Sequence, residues 1–567
     1  MAAAKKFIND PVHVVEEMVE GVLATTPSLR KVAGHNVLVR SDIEAIRDSQ
    51  VTLISGGGSG HEPAHAGYIG KGMLSGAVLG GMFASPSVAA ISAAIRTCTT
   101  RGAPGCLMIV KNYTGDRLNF GLAVEKARAD GLNVSMVVVA DDCAIPRNKG
   151  ITGRRGVAGT IFVHKVAGAA AAAGLSLNEV HMEALAVEAA MGTLGVALST
   201  CTLPGQPVSD RLAGSKVEIG LGIHGEPGIR QVEKAITADE MVDEMLTAIT
   251  KGENPYLPLV AGQQVCVMLN NLGGTPTMEL YICARRVISQ LTAAGCTVVR
   301  AFVGPFMTSL EMQGVSLTVL KATPLVLARL DADTTAPAWA PAGVVKETTE
   351  IAVPQSGADG AAAAAADDAA PPLDGEKAKM VLAAMCAALK DAEADLTKWD
   401  SAAGDGDCGI TLARGADALA KELLAGEIPL TSGPALLSAV ADSVSVSTGG
   451  TSGVLIEIGL RAGATALRAG DGWVSAFAAG VSAIKVYGNA DTGYRTMLDA
   501  LIPAAKAAAS GGWNDAAAAA ARGAEATKDM ESLAGRSNYV PREQYIGMPD
   551  PGASAVATLL AAGVKWA

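Results

Sequence analysis

A glycine-rich stretch that ends in a histidine and a carboxylate is the first place where this sequence could do chemistry. Residues 51–63 read VTLISGGGSGHEP, so a short apolar run breaks into glycines before His61 and Glu62. Glycine has no Cβ and lets backbone N–H groups approach a ligand closely. A strand that ends in such a loop is a common ligand site in an open α/β sheet. The first hypothesis is a nucleotide phosphate loop, and the alternative is a tight strand-to-helix turn.

Neither standard nucleotide motif fits this stretch. A Walker loop needs lysine and Ser/Thr after its last glycine, but His61 and Glu62 follow Gly60. A dinucleotide fingerprint needs a third glycine where Pro63 stands. The phosphate-loop hypothesis therefore stays open without a template, and the adjacent histidine and glutamate favour a functional loop over a plain turn.

Two further apolar runs end in residues that titrate. IVKNYTGD contains Lys111 and Asp116, and GLGIHGEPG contains His224. An imidazole can act as a nucleophile or general base, and a carboxylate can take a proton from a hydroxyl. The alternative for each residue alone is an ordinary turn residue without a special role. Because the carboxyl ends of parallel strands meet at one edge of a sheet, the three polar ends predict a pocket.

Three carboxylates form a second candidate site, far along the chain. Asp400, Asp405 and Asp407 lie in WDSAAGDGDCG, with glycines between them. Oxygen ligands on a tight loop suit Mg²⁺ held against nucleotide phosphates, whereas the spacing excludes an EF-hand. The alternative is an acidic surface turn. The loop STGGTSG at residues 447–453 favours the metal site, since glycines and hydroxyls at the start of a helix bind anions.

The elements that must position these residues divide the chain into at least two domains, as expected for 567 residues. Residues 1–335 alternate strand-like and helical segments, which predicts an α/β domain with mainly parallel or mixed sheets in two subdomains, about 1–195 and 196–335. Residues 336–376 are rich in Ala, Pro, Gly and Asp and predict a linker. Residues 377–567 show helical periodicity throughout and predict an all-α domain.

Composition excludes several classes of protein. The net charge is -11 without a basic stripe, which argues against nucleic acid as a partner. The sequence has no apolar run long enough to span a membrane and no apolar signal core at its start. Nine scattered cysteines without a C-x-x-C pair predict reduced thiols in a cytoplasmic protein.

Six motifs in fixed order identify a family resemblance. They are ISGGGSGHEP, IVKNYTGD, GIHGEPG, WD…GDGDCG, GGTSG and YRTMLDAL. Together they closely resemble the single-chain, ATP-dependent dihydroxyacetone (glycerone) kinases, and the resemblance covers nearly the whole chain. It implies a substrate-binding K domain and a nucleotide-binding L domain folded as a helical barrel. Because both domains are fused and no third phosphocarrier domain follows, the resemblance implies ATP as the phosphate donor.

The resemblance also implies roles for individual residues. His224 would attack the ketone and form a hemiaminal, Asp116 would be the base toward the attacking hydroxyl, and His61 would support it. The residues implied to bind the ketose are Gly58, Ser59, Gly60, His61, Lys111 and Asp116. The residues implied to hold Mg²⁺ are Asp400, Asp405 and Asp407. The residues implied to contact the nucleotide are Asp405, Gly406, Asp407, Cys408, Gly450, Thr451, Ser452, Arg495, Thr496, Asp550, Pro551 and Gly552. GNADTGYRT departs from the usual pattern before Arg495, which weakens the contacts implied there.

The expected reaction is phosphorylation of dihydroxyacetone, with glyceraldehyde as a further substrate. Some family members also cyclise FAD to a riboflavin cyclic phosphate, and relatives of the separate domains act as non-catalytic regulators. Both remain alternatives. The resemblance implies a homodimer that works on small molecules.

Overall fold

The structure is a computed structural model that describes residues 4–146, 152–234, 236–251, 256–340, 343–345, 350–351 and 373–566. It divides into two compact units, residues 1–349 and 350–567. Within the residues described, no helix is long and apolar enough to cross a membrane.

The first half of unit 1 is a six-stranded mixed sheet in the order β1-β2-β4-β3-β5-β6. Its strands are β1 Leu29–Lys31, β2 Val37–Arg40, β3 Thr52–Ser59, β4 Gly76–Met82, β5 Cys106–Lys111 and β6 Val134–Val139. Its helices are α1 Val14–Thr25, α2 Ile43–Ile46, α3 Val88–Cys98, α4 Thr114–Ala129, α5 Thr160–Ala172 and α6 Leu177–Ala189. Strands β4, β3, β5 and β6 are parallel. Neighbouring residues of β3 point into separate cores, Leu53 toward α5 and α6 and Ile54 toward α3 and α4. Helices therefore cover both faces of the sheet.

The second half of unit 1 is another six-stranded sheet, ordered β11-β10-β12-β7-β8-β9. Its strands are β7 Met191–Ala197, β8 Val217–Ile219, β9 Arg230–Val232, β10 Gln264–Asn271, β11 Thr297–Gly304 and β12 Gly314–Lys321. Its helices are α7 Ala238–Thr250, α8 Thr277–Ala293 and α9 Pro324–Asp331. Only β10 and β11 pair in parallel. The predicted α/β class with mixed sheets is confirmed, although this sheet is mostly antiparallel.

The structure corrects three boundaries in unit 1. Strand β3 does not break at the first glycine but continues to Ser59, because it pairs with β4 and β5 on both sides. Strand β7 starts at Met191 in the second sheet, so a subdomain boundary at residue 195 cuts through it. The start of the linker at residue 336 is also wrong. Ala336 is buried, and the Ala338 amide donates to the Gly67 carbonyl at 2.9 Å. Most of the predicted linker, residues 352–372, lies outside the described residues.

Unit 2 is a closed ring of antiparallel helices, and this confirms the predicted helical barrel. Its helices are α10 Gly375–Asp391, α11 Glu393–Ala403, α12 Cys408–Ala425, α13 Gly433–Ser447, α14 Gly450–Arg468, α15 Trp473–Gly488, α16 Leu498–Gly511, α17 Trp513–Ala526 and α18 Pro551–Gly563. Each packs on its neighbours, and α10 closes the ring by packing on both α12 and α18. The helices enclose an apolar cavity of about 740 Å³. Since successive helices from α12 to α18 run in opposite directions, α12, α14, α16 and α18 all begin at the same end.

Gly168 allows helix α5 to pack against the chain turn before β4. A Cβ at this position would lie 2.6 Å from the Gly72 carbonyl oxygen and 2.6 Å from the Met73 amide. We expect Gly168→Ala to destabilise the protein by about 1–3 kcal/mol. The added Cβ would clash with the backbone of residues 72–73, which cannot be displaced as easily as a flexible side chain. Differential scanning calorimetry of the full-length chain should show a lower Tm.

The matched control is Gly121→Ala in helix α4, where a Cβ has open space within 4 Å. It should keep or raise the Tm, because alanine favours a helix over glycine by up to about 1 kcal/mol. Equal Tm values for the two variants would contradict the packing argument.

Candidate active site

His61 is held by a loop of the second sheet. Its Nδ1 donates to the Thr308 carbonyl at 2.8 Å, and the Thr308 amide donates to the His61 carbonyl at 3.2 Å. The Leu310 amide donates to the Gly60 carbonyl at 2.9 Å, and the Thr308 hydroxyl donates to the Glu62 carbonyl at 2.8 Å. The His61 side chain is completely buried and stacks on Phe83 with ring centroids 4.9 Å apart. Burial lowers its pKa well below the ordinary value, and the charge of Lys111 lowers it further.

His224 approaches His61 from the other sheet. The Nε2 atoms of the two rings are 3.1 Å apart. His224 also lies edge-on to Tyr113 and Phe83, with ring centroids 4.7 and 4.9 Å away. On its far side its Nδ1 is 2.8 Å from the Glu226 carboxylate, which also accepts the His224 amide at 2.9 Å. The ring is half-buried and held on both sides, which suits a nucleophile that must present one nitrogen.

Lys111 and Asp116 complete the pocket. Lys111 ends β5 and is buried, and Asp116 lies in the first turn of α4, where the Ser85 hydroxyl donates to it at 2.6 Å. Burial lowers the pKa of Lys111 and raises that of Asp116, and the attraction between their charges opposes both shifts. The charge of His224 also acts on Asp116. The structure thus brings together His61, Lys111, Asp116 and His224. The strand-end argument accounts for the residues that follow β3 and β5, whereas His224 follows β8, which pairs antiparallel in the second sheet.

The glycines before His61 have a packing role that the sequence did not reveal. A Cβ on Gly58 would lie 2.6 Å from the Ala84 amide, and one on Gly60 would lie 2.6 Å from the Phe83 ring. The Ser59 hydroxyl donates to the Gly80 carbonyl at 2.8 Å, and the Gly60 amide donates to Glu62 at 3.0 Å. Their close neighbours are therefore protein atoms at the end of β4.

The three predicted carboxylates of unit 2 converge. One carboxylate oxygen each from Asp400, Asp405 and Asp407 lies within 4.8 Å of the others. Asp400 is half-buried and accepts the amides of Asp407 and Cys408 at 2.9 and 3.0 Å. Three like charges this close repel one another unless a cation lies among them. The donor set is all oxygen and reaches solvent, so it fits Mg²⁺ that keeps water and phosphate ligands.

The remaining predicted nucleotide residues lie at helix starts on the same end of the ring. Gly450, Thr451 and Ser452 begin α14, whose cap at Gly449 supplies no side-chain bond to the first amides. Asp550 caps α18, its carboxylate accepting the Ala553 amide at 2.7 Å; Pro551 and Gly552 follow in the first turn. Helix N-termini carry partial positive charge and exposed N–H donors, so four of them at one end favour a polyanion.

Arg495 is buried beside Asp550 just before α16. Its guanidinium lies 4.4 Å from the centre of the Tyr545 ring, and its Nη1 is 4.0 Å from the Asp550 carboxylate. Its Nη2 donates to the Met548 carbonyl at 3.1 Å, while Nε and Nη1 have no hydrogen-bond partner among the residues that the structure describes. Burial lowers the pKa of Arg495 and raises that of Asp550 to about 6. Thr496, which follows, donates its amide to Asp499 at 2.8 Å.

Sequence reasoning missed several residues that hold these sites. In unit 1 they are Phe83, Thr308 and Glu226; in unit 2 they are Asp499 and Tyr545. Glu226 had a signal, since a carboxylate two residues after a histidine in a glycine-rich turn can reach its ring. Thr308 had no such signal in the sequence, because it holds the His61 ring through its backbone carbonyl, a group that every residue has.

Comparison with known proteins identifies the two domains of the chain. A Dak1 domain matches residues 20–338, and a DAK2 domain matches residues 402–565. The chain is 44% identical over 578 residues to a putative 3,4-dihydroxy-2-butanone kinase of Solanum lycopersicum, covering 98% of this chain and 96% of the relative. It is 43% identical over 581 residues to the triokinase/FMN cyclase of Homo sapiens, covering 99% and 98%.

The crystal structure of the dihydroxyacetone kinase from C. freundii in complex with AMP-PNP and Mg²⁺ is also similar. It shares 36% identity with a TM-score of 0.71, over 99% of this chain and 100% of that one. The fold and the two sites thus define a protein in which a Dak1 and a DAK2 domain are fused. The chain belongs to the dihydroxyacetone kinase family.

The carboxylate cluster can be tested by calorimetric binding of Mg·ATP. We expect Asp405→Ala to weaken binding by about 10–100-fold, the range seen when even an outer ligand partner of a metal is lost. Binding of ATP with EDTA present should be weak in both proteins and differ little between them.

The matched control is Glu427→Gln, an exposed carboxylate two residues beyond the opposite end of α12. It should bind Mg·ATP as the parent does. Unchanged affinity in Asp405→Ala would show that the cluster is only an acidic turn.

Proposed function

We propose that this protein transfers the γ-phosphate of ATP to a hydroxyl of dihydroxyacetone or a closely similar short hydroxyketone. The contact between His61 and His224, beside Lys111 and Asp116, is the observation that carries the proposal. The names of the relatives support the same substrate class, since they include 3,4-dihydroxy-2-butanone kinase and triokinase. Glyceraldehyde is the further substrate that we propose.

The pocket would recognise its substrate by the carbonyl group. The Nε2 of His224 would attack the ketone carbon and form a hemiaminal. Glycerol has nearly the same size but no carbonyl, and a pocket that relies on shape and hydrogen bonds separates such pairs less sharply. Covalent attachment also fixes the terminal hydroxyl for in-line attack, and positioning is the main contribution to phosphoryl transfer.

Asp116 would take the proton from the attacking hydroxyl. Burial favours its neutral form, so its raised pKa makes it a better base than an exposed aspartate. The cation of Lys111 opposes that shift, because a nearby positive charge favours the ionised carboxylate. Gly58, Ser59 and Gly60 would line the ketose through their backbone.

Asp400, Asp405 and Asp407 would hold Mg²⁺, which neutralises negative charge on the phosphates when bound. The starts of α12, α14, α16 and α18 would receive the phosphates through their amides. We propose that Asp405 to Cys408, Gly450 to Ser452, Arg495, Thr496 and Asp550 to Gly552 form this nucleotide site.

We expect His224→Ala to lower kcat/KM for dihydroxyacetone and to abolish the preference for this ketone over glycerol, because the covalent bond supplies that preference. Kinetics with dihydroxyacetone, glyceraldehyde and glycerol measure both effects. His181→Ala, on helix α6, is the matched histidine control and should behave as the parent. A His224→Ala enzyme that still rejects glycerol would contradict the hemiaminal.

We expect Asp116→Asn to lower kcat by about 10²–10⁴-fold while the ketone still binds, because a lost general base affects the transfer step. Carbon-13 NMR of dihydroxyacetone labelled at the carbonyl carbon shows whether the tetrahedral adduct forms. Asp130→Asn, at the exposed other end of α4, is the control. Loss of the adduct together with activity would instead place Asp116 in substrate binding.

The decisive experiment is an ATP-consumption assay with the three substrates, with and without Mg²⁺. Turnover of dihydroxyacetone that requires Mg²⁺ would support the kinase. Absence of turnover with every substrate would favour a regulator built from the same domains. A second activity deserves the same test, because the chain resembles triokinase/FMN cyclase along 99% of its length. Release of AMP and a cyclic flavin phosphate from FAD would establish it.

We further propose a cytoplasmic homodimer. All nine cysteines are thiols without a disulfide, as a reducing compartment requires. Sedimentation of the purified protein measures the oligomeric state.

A further inference from the structure

The hydrogen bonds of His61 and His224 determine where their protons lie. A carbonyl oxygen can only accept, so the contact with Thr308 requires a proton on Nδ1 of His61. An ionised carboxylate can only accept, so the contact with Glu226 requires a proton on Nδ1 of His224. In their neutral forms both rings would then present bare Nε2 lone pairs to each other at 3.1 Å. Two lone pairs at hydrogen-bond distance repel, so the pair needs one additional proton between the Nε2 atoms.

Glu226 supplies the negative charge that this proton requires. Burial raises the pKa of Glu226, but the hydrogen bond from His224 and the charge of that ring outweigh burial and bring the pKa to about 2. The carboxylate is therefore ionised at neutral pH. Gly222 lets it approach, since a Cβ there would overlap Glu226 and lie 2.5 Å from Arg155. Arg155 is itself held by Asp142 at 2.6 Å and by the Gly220 carbonyl at 2.8 Å.

We propose that Glu226 is a positioning residue that fixes His224 with Nδ1 protonated and thereby makes His61 and His224 share one proton, which is delivered to the carbonyl oxygen of the substrate. This inference rests on the proposed function. The resting pair is His224 imidazolium donating to neutral His61, with Glu226 as counter-ion. The low proton affinity of buried His61 agrees with this distribution.

The step balances in atoms and charge. The shared proton moves from His224 Nε2 to His61 Nε2, which exposes the lone pair of His224. That lone pair forms the C–N bond as the C=O π bond breaks, and the oxygen takes the proton from His61. His61 returns to the neutral form, and the substituted His224 ring is a cation that still donates Nδ1–H to Glu226. Because burial makes protonated His61 unstable, it is a strong acid at the moment the oxygen needs a proton.

The rate of adduct formation should therefore fall when the pair loses its shared proton at high pH. Other titratable and charged groups act on the pair or on Glu226 from the surrounding elements. They are His65, Lys111, Tyr113, Asp116, Arg155 and Cys201, while Glu62, Asp141 and Asp142 act in turn on Lys111 or Tyr113. All of them stay in place when Glu226 alone is changed, so a shift in the pH profile reports Glu226.

The test is the pH dependence of kcat/KM for dihydroxyacetone at saturating Mg·ATP, which reports groups of the ketone-free enzyme. Glu226→Gln keeps an oxygen that can accept from His224 but removes the charge. We expect the alkaline limb to move to lower pH by about 1–3 units, the effect of one close opposite charge. We expect kcat to change much less, because phosphoryl transfer follows adduct formation. Glu233→Gln, an exposed glutamate 3.8 Å from Lys216, is the control and should leave the profile unchanged.

A second variant keeps the test decisive if Glu226→Gln folds poorly. His61→Asn can still donate to Thr308 but cannot share a proton with His224. Its kcat/KM should rise with pH, opposite in sign to the parent, because His224 then has no partner to take the proton from its Nε2. Coincident alkaline limbs in the parent and in either variant would overturn the inference. If the parent itself gives neither turnover nor a tetrahedral carbon-13 signal, the proposed function fails instead.

Discussion

The first candidate site depends on the loop at residues 308–310. This loop of the second sheet is hydrogen-bonded to the edge of the first sheet that carries His61. Four hydrogen bonds from Thr308, Leu310 and His61 join this loop to residues 60–62, and two of them use backbone atoms on both sides. The segments are about 250 residues apart in the chain. Neither sheet alone can therefore orient His61, since one supplies the ring and the other supplies the carbonyl that fixes it. The pocket is a product of their packing.

This dependence explains what the sequence could predict and what it could not. Lys111 and Asp116 follow the apolar run of β5, and the rule that parallel strand ends meet at one edge correctly places them beside the end of β3. His224 also follows an apolar run, but its strand β8 pairs antiparallel in the second sheet, so the packing of the two sheets brings it to the pocket. The glycines before His61 were harder to interpret. A glycine is needed wherever another atom lies close to the backbone, and that atom can belong to a ligand or to the protein itself. At Gly58 and Gly60 the close atoms belong to residues 83–84, so packing within the protein already requires these glycines. Strand β3 continues through these glycines because pairing on both sides overrides their low strand propensity. Thr308 acts through a carbonyl, which leaves no signature in residue type.

In unit 2 the topology was predictable and the buried contacts were not. Helical periodicity and short polar loops predict an antiparallel bundle, and alternation places every second loop at one end. The motifs around residues 405, 450, 495 and 550 all fall in those loops. Burial of Arg495 against Tyr545 follows from a long connection between α17 and α18 that has no regular pattern. Asp499 shows why local spacing is insufficient, since it accepts amides of both Gly493 and Thr496 and so shapes the turn that carries Arg495.

The charged groups of the first site are mainly buried and paired, whereas those of the second site are mainly exposed to solvent. This difference matches the ligands that the two sites would bind. In unit 1 the titratable groups are buried, so each charge needs a partner close by: Lys111 with Asp116, and the histidine pair with Glu226. An uncharged ketone can enter such a pocket without disturbing its balance of charge. In unit 2, Asp405 and Asp407 face solvent beside four helix N-termini, where a cation and a polyanion can bind together. In the proposed mechanism a proton moving within the first pocket leaves its net charge unchanged, so a carbonyl would be attacked there without bringing a new ion into a buried site.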